Sequence, residues 1–197
     1  MRKQFIAAAL LLAAAFVLRA ADPAHFKPAQ SATTTVAIKG TSSLHEWEMK
    51  GSTIEGSIET DPDAWSTSGE KPAAVRVSIP VASIRSAHER MDRIMREALK
   101  AEANPNITYT IASASLVSRS ADAFVARTTG KLTIAGMTRD VAFDVTVRRS
   151  ADGTYDVAAD VPMKMTDFGV KPPVAMMGTL KTGNDITVSF HWIVKRS

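Results

Sequence analysis

Residues 141–165 read VAFDVTVRRSADGTYDVAADVPMKM. Val141, Phe143, Val145 and Val147 alternate with Ala142, Asp144, Thr146 and Arg148. After Ala151-Asp152-Gly153, a second series runs Tyr155, Val157, Ala159, Val161, Met163, Met165 against Asp156, Asp160 and Lys164. A period of two gives each segment one apolar and one polar face, as in antiparallel strands buried on one side only. Asp-Gly between two such runs is a hairpin turn. The second run is long: residues 154–166 would extend about 40 Å at ~3.3 Å per residue.

The same period fills the chain on both sides of this hairpin. Upstream it appears in Val36 and Ile38, in His45, Trp47 and Met49, in Ile54 and Ile58, and in Val75, Val77 and Ile79. It resumes at Ile107, Tyr109 and Ile111, then at Val125, Leu132 and Ile134. Downstream, Ile186, Val188, Phe190, Trp192 and Val194 close the chain against Thr187, Ser189, His191 and Lys195. Residues 61–73 are rich in turn formers and read as a loop. One segment breaks the pattern: Met91, Ile94, Met95, Ala98 and Leu99 share a helical face. The spacing predicts a helix over 86–101, opened by Ser86 and Glu89 as a capping box and stopped at Asn104-Pro105. About eight long, half-apolar strands with a single helix must close on themselves or stack to hide their apolar faces. The expected fold class is all-β, a closed barrel or two stacked sheets, with one inserted α-helix.

The first 21 residues differ in kind. Arg2 and Lys3 precede an apolar run from Phe5 to Leu18, and small residues follow at Ala20 and Ala21. That is the layout of a secretory signal peptide, and the run is shorter than the ~20 residues of a spanning helix. Residues 22–32 carry two prolines and read as a short arm, leaving 33–197 as one domain. The formal charge of +4 owes much to the leader, which holds three basic residues and no acidic one. The near-neutral remainder makes a poor nucleic-acid binder. The chain has no cysteine, which excludes disulfides, thiolate metal sites and a Cys nucleophile. Export to a bacterial periplasm follows, without stable membrane insertion after cleavage; a homodimer stays open.

Four separated pieces resemble the YceI-like family of bacterial periplasmic proteins. They are GTSSLHEW (Gly40 to Trp47), the helix with its ANPNITY ending (Ala103 to Tyr109), GKLTIAGMTRDV (Gly130 to Val141) and TDFGV (Thr166 to Val170). The resemblance covers about residues 33–195. It implies an extended eight-stranded antiparallel, lipocalin-like barrel with one inserted α-helix, around an elongated apolar tunnel that holds a long-chain amphiphile: an isoprenoid quinone, a polyprenyl chain or a fatty-acyl compound. Any such lipid would be bound non-covalently, with no chemistry performed. An enzyme acting on a lipid-like substrate and a structural module with a filled core are the alternatives.

On this reading the tunnel is lined by Ile111, Phe143, Val145, Val157, Val161, Met163, Met165, Phe168, Phe190 and Trp192. Met suits such a lining because it deforms around irregular guests. His45 is a candidate contact for a ligand headgroup. No two of the four histidines stand at metal-ligand spacing, so no metal site is expected. Asp167-Phe168-Gly169 matches a kinase metal motif only by coincidence, since the chain lacks the phosphate loop and catalytic loop of a kinase. A turn is expected there, with Asp capping, Phe tucked inward and Gly in an unusual backbone angle.

Overall fold

The computed structural model describes residues 23–61, 65–71, 73–175 and 179–197. The expected signal segment, residues 1–21, lies outside these, as do Met176 and Met177.

Among the described residues twelve strands form: β1 (Ala24–Pro28), β2 (Thr35–Ser42), β3 (Glu46–Gly51), β4 (Glu55–Thr60), β5 (Gly69–Lys71), β6 (Ala73–Pro80), β7 (Asn106–Arg119), β8 (Ala123–Ile134), β9 (Met137–Arg149), β10 (Tyr155–Lys164), β11 (Val174–Ala175) and β12 (Leu180–Arg196). Among the described residues a single α-helix, α1 (Glu89–Ala98), joins β6 to β7. Eight strands close a ring in the order β1-β4-β6-β7-β8-β9-β10-β12, with β12 returning to β1, and every pairing is antiparallel. The all-β barrel with one helix is therefore the fold.

Ring membership differs from the sequence pattern in one respect. The segment read as an arm supplies β1, whose Ala24 and Phe26 are buried in the core with Trp192 and Val194. Its alternation is real but only five residues long and flanked by prolines. β1 and β2 lie end to end along one edge of β12: β1 pairs with residues 194–196, β2 with residues 182–191. One place further round, β4 pairs with β1 and β3 with β2. At the helix end, Lys50 bridges to Arg85 just beyond β6. Two short strands in series thus cover the length of one long one.

Turn chemistry sets the hairpins. Ala135 and Gly136 both take positive φ (51° and 81°) between β8 and β9, the twist that matches a tight hairpin. Between β9 and β10, the Asp152 carboxylate accepts from the Thr154 backbone N–H and hydroxyl, and Gly153 has φ 82°. These hydrogen bonds hold the Asp152 carboxyl below its usual range. Outside the wall, cross-strand ion pairs such as Arg127–Asp144 and Lys131–Asp140 join β8 to β9. Both are exposed and worth little individually.

β9 and β10 pair only over 146–149 and 155–158, then diverge. The turn at 165–168 packs against β9, β10 and β12 beside this divergence, and it brings buried Phe168 and Val170 with it. Arg139 of β9 donates to the Asp167 carbonyl at 2.8 Å. Gly169 takes φ 66° as expected. The capping role expected of Asp167 belongs instead to Asn184, whose amide bonds the Thr166 backbone N–H (3.1 Å) and hydroxyl (2.9 Å).

The helix is shorter than 86–101, and its start is built differently. Ser86 does not cap Glu89. The buried Asp92 carboxylate instead accepts from the Ser86 backbone N–H and hydroxyl, both at 2.7 Å. The far end is a Schellman turn: Lys100 N–H bonds Glu97 O, Ala101 N–H bonds Arg96 O, and Lys100 takes φ 52°. Met91 and Met95 pack on the cluster of Val36, Met49 and Ile84. Arg90 and Arg93 are exposed, while Arg96 is half-buried.

Candidate functional site

The ring encloses a cavity of about 440 Å³, within the ~300–1,000 Å³ typical of ligand pockets. Its wall is almost wholly apolar and draws on nine strands and on Leu99 just past the helix. Strand parity explains this: β12 alone turns Ile186, Val188, Phe190, Trp192 and Val194 inward, and β6 adds Val75, Val77 and Ile79. Several of these are only half-buried because they face open space rather than neighbours. The interior is not filled, which sets aside the packed-core module.

Of the residues expected to line it, Ile111, Phe143, Val145, Val157, Val161, Met163, Phe190 and Trp192 stand on the cavity wall. Met165, Phe168 and His45 do not. β10 ends at Lys164, so Met165 falls in the following turn, where alternation no longer decides direction. Phe168 is buried beside the β9–β10 divergence, away from the cavity. His45 sits in the turn before β3, exposed, with its Nδ1 on the Glu46 carbonyl. Ser42 organises that turn, accepting from the Leu44 and His45 backbone N–H groups. Sequence reading had extended the strand face one residue too far.

The structure adds wall residues that periodicity did not mark. Phe26 arrives with β1 and meets Tyr155 edge to face, ring centres 5.3 Å apart. Trp65, from the turn-rich loop, stacks on Phe124 at 4.8 Å. Leu99, on the helix's apolar face in the sequence, enters the same wall from the helix end, and Ile84 joins it from the segment before the helix.

Three rings cross the interior. Tyr109 meets Phe143 at 5.4 Å and Phe143 meets Phe190 at 6.4 Å, linking β7 to β12 on the opposite side of the ring. Tyr109 also covers Gly130, where a Cβ would lie 2.5 Å from the Thr110 carbonyl and 2.6 Å from the tyrosine ring. Two buried polar atoms here have no hydrogen-bond partner: Tyr109 Oη and Trp192 Nε1. Burial pushes the Tyr109 phenol above its ordinary pKa. The nearby Thr128 hydroxyl donates instead to the Phe143 carbonyl at 3.0 Å.

The two ends of the cavity are unlike. At one, Ile84 and Leu99, on either side of α1, stand in the wall, and Met91 and Met95 of the helix pack on the cluster of Val36, Met49 and Ile84. At the other, the wall passes into the exposed β7–β8 turn, Arg119 to Asp122, with Thr60, Trp65, Arg149 and Tyr155 around it. The charged residues in the wall, Arg119, Asp122 and Arg149, are all at this second end. Among the described residues no group of His, Asp and Glu is placed to hold a metal ion. No helix among them is long and apolar enough to cross a membrane.

Comparison with known proteins places the chain. The model of the YceI-like domain matches residues 22–193. BcnA of Burkholderia cenocepacia is similar in structure, with TM-score 0.62 and 17% identity, over 81% of this chain and 94% of that one. A polyisoprenoid binding domain from Saccharophagus degradans, implicated in plant cell wall breakdown, superposes with TM-score 0.66 and 11% identity, over 89% and 99%. The Campylobacter jejuni YCEI protein gives TM-score 0.55 and 20% identity, over 76% and 84%. At these identities the likeness shows a shared fold. No curated protein matches the sequence.

Proposed function

The chain belongs to the YceI-like family, and from that premise we propose that it is a lipid carrier of the bacterial envelope, holding a long-chain amphiphile inside its barrel. The observation that carries this reading is the cavity: about 440 Å³, with an aliphatic and aromatic wall that includes Leu99 beside the helix and the β7–β8 turn. An apolar space of this kind stays dry when empty and favours an apolar guest. Each methylene transferred from water contributes about 0.8 kcal/mol. The polyisoprenoid binding domain of Saccharophagus degradans shares the fold, which supports a prenyl or fatty-acyl chain as the guest class. An isoprenoid quinone belongs to the same class. The protein binds and releases its guest unchanged.

Mass spectrometry of an organic extract from natively purified protein tests the proposal. A stoichiometric long-chain lipid is expected. An extract without lipid, together with no uptake of added fatty or prenyl compounds, would overturn it.

A further inference from the structure

The open end of the cavity carries a second message, which rests on the tail-binding reading above. Its polar side chains are mostly committed. Thr60 Oγ1 accepts from Trp65 Nε1 at 2.9 Å, and the Ser120 hydroxyl donates to the Ala123 carbonyl at 3.1 Å. What remains is the Tyr155 phenol, the Asp122 carboxylate and two guanidinium groups. Arg119 Nη1 donates to the Trp65 carbonyl at 2.9 Å, and Trp65 is itself fixed by stacking on Phe124 and by Thr60. One of five donors is thereby used, and it anchors the fork at the rim. Arg149 is placed by its backbone, whose N–H bonds the Asp122 carbonyl at 2.9 Å. It lies opposite Tyr155 in the β9–β10 register. Among the described residues the Arg149 guanidinium has no ion pair or hydrogen bond. Asp122 offsets one of the two positive charges and leaves the rim cationic. Everywhere else the wall is uncharged.

We propose that Arg119 and Arg149 form the headgroup site of the cavity, and that the guest carries an anionic oxyacid head, carboxylate or phosphate, on its apolar chain. A guanidinium fork matches both oxyanions in geometry and charge. The chain enters between the strands while the head stays at the rim, within reach of water.

Titration of the full mature chain by tryptophan fluorescence provides the test, because Trp65 and Trp192 both line the cavity. The probes are hexadecanoate against hexadecanol, and farnesyl phosphate against farnesol. The parent should prefer the anionic member of at least one pair, and added salt should reduce that preference. Arg149→Ala and Arg119→Ala should each weaken the preferred anion about tenfold while leaving its alcohol unchanged. Arg93→Ala, on the exposed face of the helix, should change neither. Whichever pair shows the effect names the oxyanion. Equal binding of acid and alcohol by the parent, or equal losses for both in the variants, would overturn the headgroup site and leave the tail reading standing. Binding of none of the four would overturn both.

Discussion

Asp92 shows how a single side chain can anchor a segment that the backbone alone leaves loose. Burial pushes its carboxyl pKa up, but the two Ser86 hydrogen bonds, with Arg85 and Arg96 nearby, bring it below the ordinary 3.8. Asp92→Ala strands both Ser86 donors and should cost about 1–3 kcal/mol in urea unfolding. A carboxyl whose folded pKa is depressed stabilises above its unfolded value and loses that contribution as pH falls through the folded one. The gap between parent and Asp92→Asn should therefore be constant at neutral pH and shrink below about pH 4; a gap that widens there would refute the assignment. Close approach matters equally. Gly40 faces Trp47 across the β2–β3 pair, and the indole, held by its N–H on the Thr41 carbonyl at 2.9 Å, occupies the space of a Cβ. This gives GTSSLHEW a physical reason. At Gly130 the obstacle is backbone, so Gly130→Ala should destabilise by about 1–3 kcal/mol, read as a lowered urea midpoint. Strand parity made most wall residues legible in the sequence. Met165 and His45 were not, because a turn cancels parity, and no local signal says where the turn begins.

At the level of elements, long alternating strands announce themselves, whereas short ones need their partners. β1 has too few residues to stand out and is defined by β4 and β12 on either side of it. The helix was visible from its apolar face, yet its ends were set by Asp92 and Lys100, not by the box and proline that sequence rules favour. Leu99 follows the last helical residue and reaches the cavity wall. Leu99→Asp places an unpaired carboxylate against that wall and should cost about 3 kcal/mol or more in thermal or urea unfolding. An unchanged midpoint would show that the helix does not cover this end.

For the molecule as a whole, an all-β fold was legible because half-apolar alternating strands must close or stack to hide their apolar faces, and the family resemblance selected the closed barrel. The open end was not, since Arg149 at the end of β9 lies apart in sequence from the Arg119–Asp122 turn, and each resembles any charged turn. Val161, 8% exposed and on the cavity wall, offers a test of the enclosed space. Val161→Trp should block it and abolish recovery of bound lipid, at a folding cost of about 1–3 kcal/mol from overpacking. Equal lipid yield from parent and variant would place the guest elsewhere. The meeting of β1 with the end of β12 has a temporal consequence. Residues 24–28 complete their pairing only against residues 194–196, and the Ser197 N–H bonds the His25 carbonyl at 3.0 Å. A chain still emerging from a ribosome can form the β7–β8–β9 meander but has nothing with which to seal the ring. Such distant contacts make closure slow relative to hairpin formation. Capacity for a guest therefore arrives in one step at the finish of folding, and a lipid present at that moment can be enclosed without ever threading the finished mouth.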